Sequence, residues 1–137
     1  MAIGWEEQDM AERTGLEGLR ILIAEDNLFA ALELEQTLVT LGCQPVGPVG
    51  RLDQAMILAL QENLDGALLD VDLQGQLIFA VAEELQRRRI PMIFASGYGT
   101  DDIFPAAFVH HPRLPKPFGE DDVRRALEDI VAGRPAA

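Results

Sequence analysis

A doubly wound α/β domain is what the sequence predicts: five parallel strands in the order 2-1-3-4-5, with helices on both faces. Three observations carry this. Short apolar runs alternate with stretches of helical periodicity five times over in 137 residues, the pattern of parallel strands joined by right-handed crossovers. The inner runs, such as Ala67-Leu68-Leu69, are apolar without alternation, as strands covered on both faces are. The second and fifth strands contain Pro45 with Pro48 and Pro112 with Pro115. Proline cannot donate a ladder hydrogen bond, so these two strands belong at the edges, and the order 2-1-3-4-5 places both outside.

In chain order, the first strand is Leu19 to Ala24, ending directly in Glu25-Asp26-Asn27. A helix follows with Leu28, Ala31, Leu34, Leu38 and Leu41 spaced three or four apart and Gly42 as its stop. Asp26 or Asn27 is a natural cap for it. Gln44 to Val49 is the second strand, and Leu52 to Asn63 the next helix, with Met56 as core filler. The third strand runs through Ala67 to Asp70; a loop from Asp72 to Gly75 then leads to a helix built on Leu77, Ile78, Val81, Ala82 and Leu85 and ending near Arg88. Arg87, Arg88 and Arg89 suit that helix's negative end. Pro91 to Ala95 is the fourth strand and runs out into Ser96-Gly97-Tyr98-Gly99. Pro105 breaks the following stretch, Thr100 to His111, into a short or irregular element. The neighbours His110 and His111 point to opposite faces and make a poor metal pair. Pro112 to Pro115 is the last strand, followed by Lys116-Pro117-Phe118 and a final helix from Glu120 to Val131.

The composition bounds the function. The length suits one domain with a real core, divided into an N-terminal tail (1–18, with a short helix or a contact anchored by Trp5), a body (19–132) and a C-terminal tail (133–137). With 23 acidic against 11 basic side chains the net charge is -12, which disfavours nucleic acid and anionic lipid. Residues 1–12 lack the basic start and apolar core of a signal peptide, and no apolar run approaches the ~18 residues of a membrane helix. Cys43 is alone and reads as a small buried hydrophobe, so a cytoplasmic monomer or weak dimer without membrane insertion is expected.

The sheet order converts isolated signals into one constellation. It brings the strands ending in Glu25-Asp26, Asp70 and Ser96 together in the middle, with Lys116 entering from the neighbouring edge. Any one of these acids could be a turn or capping residue. Gathered at the carboxyl edge, where open α/β sheets bind ligands, they form a charge problem: at an effective dielectric near 20 each close carboxylate pair costs about 4 kcal/mol at 4 Å. A hard divalent cation, Mg²⁺ above all, answers it. Lys116 adds a positive charge and Ser96 a neutral donor, which suits a transferred phosphoryl group with one carboxylate as nucleophile.

These residues resemble the receiver domain of two-component response regulators, a flavodoxin-like fold. The resemblance rests on the acidic pair after strand 1, Asp70 after strand 3, Ser96 after strand 4 and Lys116-Pro117-Phe118 after strand 5, and spans residues 19–132. It implies that Asp70 accepts phosphate from a sensor histidine kinase. Asp26 and Asp70 would bind Mg²⁺ directly, Asp72 through its backbone carbonyl and Glu25 through water. Lys116 would pair with the phosphoryl oxygens, Ser96 would close over them, and the Lys116-Pro117 bond would be cis. Two departures stand out. Arg113 occupies the position three before the lysine where most receivers have an aromatic switch residue, and Pro105 precludes a full fourth helix. With Phe94-Ala95-Ser96-Gly97-Tyr98 they resemble a subset of stand-alone receivers, which makes Tyr98 and Arg113 the switch candidates.

No output domain follows residue 132 in this sequence, so action by contact is expected: with the kinase, a phosphotransfer protein or a downstream regulator. The function is then a phosphoacceptor switch rather than an enzyme. Two alternatives remain. Asp70-Val71-Asp72 also resembles the nucleophile motif of haloacid dehalogenase-like phosphatases, although those place their acidic pair after the lysine. The other is a receiver-like scaffold that is never phosphorylated, against which the complete acid set argues.

Overall fold

A computed structural model describes residues 15–97 and 100–133. Trp5, the expected N-terminal helix and Tyr98 lie outside the described residues. The elements are β1 (Arg20–Ala24), α1 (Leu28–Thr40), β2 (Gln44–Val49), α2 (Leu52–Gln61), β3 (Gly66–Asp70), β4 (Asp72–Leu73), β5 (Gln76–Leu77), α3 (Phe79–Arg87), β6 (Met92–Ser96), β7 (Arg113–Pro115) and α4 (Glu120–Ala132). Two 3-10 turns, Asp101–Ile103 and Ala106–Phe108, stand where Pro105 interrupts the chain.

The main sheet is parallel in the order β2-β1-β3-β6-β7, which is the predicted 2-1-3-4-5 order once the small hairpin β4-β5 is counted separately. The proline-bearing strands β2 and β7 are the edges, as their missing donors require. Alternation within each strand splits the core in two. Leu22, Leu69, Met92 and Phe94 face α2 and α3, meeting Ala55, Ala59, Val81 and Leu85. Ile21, Ile23, Leu68 and Ile93 face α1 and α4, meeting Leu34, Leu38, Leu127 and Ile130. The apolar runs show no alternation because both faces are covered.

Local chemistry explains the ends. Asn27 accepts a hydrogen bond from the Ala30 N–H at 2.9 Å and so caps α1, and Gly42 follows the helix with φ +89°, a left-handed stop. Leu16, which the sequence groups with the tail, is buried at 1% exposure, and its carbonyl accepts from the Cys43 thiol. Cys43 is buried as expected, and its surroundings, with Glu17's charge adding to them, push the thiol up to about 11.

One element departs from expectation. The stretch read as a loop followed by a helix from Leu77 folds instead into the antiparallel hairpin β4-β5, and α3 begins only at Phe79. Gln74 and Gly75 both take positive φ, 53° and 85°, the geometry of a two-residue hairpin turn. Glycine at the second position admits it, while the glutamine at the first hid it from the sequence. The Gly47-Pro48 bond is cis, and so is Lys116-Pro117, the latter as expected.

Candidate functional site

The carboxyl edge of the sheet gathers the predicted residues. β1 and β3 run side by side, Ala24 opposite Leu69, so the residues that leave them, Glu25, Asp26 and Asp70, must meet. One carboxylate oxygen from each lies within 4.8 Å of the other two. Glu25 is buried at 3% exposure and Asp70 at 9%, while Asp26 stands exposed. Ser96 ends β6 one residue past Ala95, the partner of Asp70 in the ladder. Its carbonyl accepts the Lys116 N–H at 2.9 Å, which ties the exit of β7 to the site.

Lys116 is the cation of this cluster. Its Nζ donates to Asp70 Oδ2 at 3.0 Å and to Glu25 Oε1 at 3.2 Å. Partial burial pulls its proton affinity down, but the hydrogen bonds and charges of Asp70 and Glu25 outweigh this and hold the ammonium above its ordinary value. Burial pushes Glu25 up, and the nearby Asp70 charge adds to this; the Asn27 N–H, which donates to Oε2 at 3.0 Å, and Lys116 oppose it. A proton is thus more welcome on Glu25 than on a free glutamate.

The local roles that could have explained the acids away are filled by others. Asn27, not Asp26, caps α1. Asp26 Oδ2 instead accepts the Gln74 N–H at 2.8 Å, from the hairpin. Asp72 spends its side chain on the turn, accepting the Gly75 N–H at 2.7 Å, while its own N–H reaches Asp70 Oδ1 at 3.4 Å. The three acids of the cluster offer carboxylate oxygens, the ligand chemistry a hard divalent ion takes. Beside the cluster a cleft of about 560 Å³ opens between α1 and α4, lined by Phe29, Leu34, Lys116, Phe118 and Val123 among others.

Arg113 seats on an aromatic ring. Its guanidinium lies over the Phe104 ring, 3.7 Å from the centroid, and donates to the Val109 carbonyl at 3.1 Å. Phe104 packs in turn with Phe79 and Phe94, and His111 stacks edge-on against Phe94 and Phe108. Burial lowers His111, an aromatic neighbour here rather than a ligand. Sequence reasoning missed the Gln74 N–H and the Arg113 seat, since neither a backbone donor nor a ring contact leaves a residue-type signature.

Five parallel strands with three acids, a serine and a lysine at their carboxyl edge define an α/β domain whose acidic cluster is able to hold a metal ion. No family model matches the sequence, and no curated protein matches it. Solved structures do. The solution structure of SdrG from Sphingomonas melonis Fr1 is 39% identical, covering 83% of this chain and 97% of that one at a TM-score of 0.73. The signal receiver domain of a modulated diguanylate cyclase from Desulfovibrio desulfuricans G20 is 27% identical over 86% of this chain and 97% of its own, TM-score 0.77. The receiver domain of sensor histidine kinase PA1611 from Pseudomonas aeruginosa PAO1, with magnesium coordinated in its active-site cleft, shares the fold at 24% identity, covering 84% and 98% of the two chains, TM-score 0.73. The chain belongs to the response regulator receiver domains. Receiver domains are regulatory switches, so the dehalogenase-like phosphatase reading falls away.

Proposed function

We propose that this receiver takes a phosphoryl group on Asp70 from a sensor histidine kinase, with Mg²⁺, and signals by protein contact. The observation that carries the reading is the Lys116 ammonium bridging Asp70 and Glu25 while Asp26 closes the acid cluster. Asp26 and Asp70 would hold the ion with their carboxylates, Asp72 with its backbone carbonyl and Glu25 through water; bound there, Mg²⁺ would neutralise charge on the incoming phosphoryl oxygens. A carboxylate oxygen of Asp70 forms the new bond to phosphorus as the bond to the donor's imidazole nitrogen breaks, and the imidazole leaves. Lys116, kept protonated by its two carboxylates, shifts its hydrogen bonds to the phosphoryl oxygens, and Ser96 supplies a further donor.

The response then passes to the segment after β6. With Arg113 on Phe104 rather than an aromatic switch, Tyr98 and residues 99–111 are the part that changes. SdrG and the other receivers support this reading by family, as do the carboxylate oxygens of the cluster.

The test is incubation with acetyl phosphate and Mg²⁺ followed by mass spectrometry. One phosphoryl group on Asp70, absent from a folded Asp70→Asn variant, is the expected result. An unmodified Asp70 under saturating donor and metal supports instead the receiver-like scaffold that works without phosphate. Undiminished labelling of Asp70→Asn removes the nucleophile assignment.

A further inference from the structure

The exposed acid of the site is held from outside the sheet. Asp26 sits on the loop after β1, and an exposed aspartate there samples several rotamers at little cost. Its Oδ2 is met by the Gln74 N–H at 2.8 Å, from a residue 48 positions away. The two-residue turn between β4 and β5 that presents this N–H is left-handed at both Gln74 and Gly75. Asp72 Oδ1 locks the turn through the Gly75 N–H, and the Asp72 N–H touches Asp70 Oδ1 at the other end of the same hairpin. The hairpin therefore contacts both carboxylates proposed to ligate the ion directly. A neutral amide can do this where a second cationic side chain would compete with the metal.

We propose that the Gln74–Gly75 turn is a positioning device for metal binding: it fixes one oxygen of Asp26 so that the carboxylate is preorganised toward Asp70. The proposal rests on the reading that Asp26 and Asp70 hold Mg²⁺. Its sensitive point is Gly75. A Cβ there meets nothing within 4 Å, so a substitution acts through the backbone alone, at φ +85°. Asparagine tolerates that conformation, whereas a β-branched residue does not.

The experiment is calorimetric titration of the full chain with MgCl₂, comparing the parent with Gly75→Asn, Gly75→Val and Asp26→Asn. Unfolding midpoints are measured alongside without metal. Gly75→Asn should bind as the parent does, while Gly75→Val should bind about tenfold more weakly, the scale at which groups behind a ligand act. In the parent, the Gln74 amide resonance should move on Mg²⁺ addition. If Gly75→Val does not fold, Gly75→Ala carries the same comparison. A turn that matters only for folding lowers the midpoint and leaves the Mg²⁺ constant of the folded protein within about twofold of the parent; that result overturns the proposal. An Asp26→Asn variant that binds like the parent overturns the metal assignment itself, and the positioning role with it.

Discussion

Replacing Lys116 by Met keeps most of the side-chain stem and removes the charge that separates Glu25 from Asp70. Carboxylate oxygens within 4.8 Å of each other repel by at least about 3.5 kcal/mol at an effective dielectric near 20. In the parent this is offset by an ammonium 3.0 and 3.2 Å from them. The lysine is 34% exposed, so water screens much of its attraction, and the deficit expected for the variant is about 2–3 kcal/mol rather than the 3–5 kcal/mol of a fully buried pair. The pH dependence follows from Glu25. Its folded value already lies above the ordinary 4.5, chiefly through burial, and losing Lys116 raises it further. A carboxyl group that binds its proton more tightly when folded favours folding below its ordinary value, and this contribution is lost as the pH rises through the folded value. Denaturant unfolding should therefore show the full deficit at about pH 8, a smaller one at about pH 5, and a smaller one again at about pH 8 with Mg²⁺, which replaces the missing charge. A deficit equal at both pH values and untouched by Mg²⁺ refutes the electrostatic account and leaves lost packing.

Two further outcomes probe other parts of the molecule. The Cys43 thiol, pushed up to about 11 by burial, with Glu17 adding to it, should alkylate at least about tenfold more slowly in the folded than in the unfolded chain at about pH 8; equal rates would show that the thiol is reached without unfolding. Arg113→Ala removes the seat on Phe104 and the bond to the Val109 carbonyl, for a stability loss of about 1–2 kcal/mol. Amide exchange across residues 101–111 should quicken more than in β1 or β3, and a uniform change would mean that Arg113 does not hold this segment.

The strand order was legible because proline marks edges: Pro45, Pro48, Pro112 and Pro115 left few ways to arrange five parallel strands. The meeting of Glu25, Asp26, Asp70 and Lys116 followed from that order, since residues at the same edge of adjacent strands must be neighbours. The hairpin was not legible. Asp72-Leu73 and Gln76-Leu77 are too short to show a period, and Gln74 does not announce a left-handed turn as asparagine would. Arg113 was singled out by its position, but its resting place on Phe104 depends on how two 3-10 turns pack around Pro105, a tertiary outcome that no local pattern encodes.

What makes the acid cluster informative is that neither the cap of α1 nor the lock of the hairpin turn requires it. Asn27 already caps α1, and the hairpin turn already has Asp72. Glu25 and Asp70 are buried beside each other, yet Lys116 supplies one positive charge against the three negative charges that Glu25, Asp26 and Asp70 carry when ionised. Local rules of good packing are broken here and obeyed in the strands behind, where Ile21, Leu22, Leu68 and Leu69 fill both faces without a polar atom. A fold that is consistent elsewhere and strained at one edge concentrates its cost where chemistry needs it. The same repulsion that lowers stability in the free state would become binding energy for the proposed divalent ion. If the cluster holds Mg²⁺ as proposed, a Mg²⁺ titration should show tighter binding than the parent in variants that lack Lys116 and weaker binding in those that lack Asp26 or Asp70.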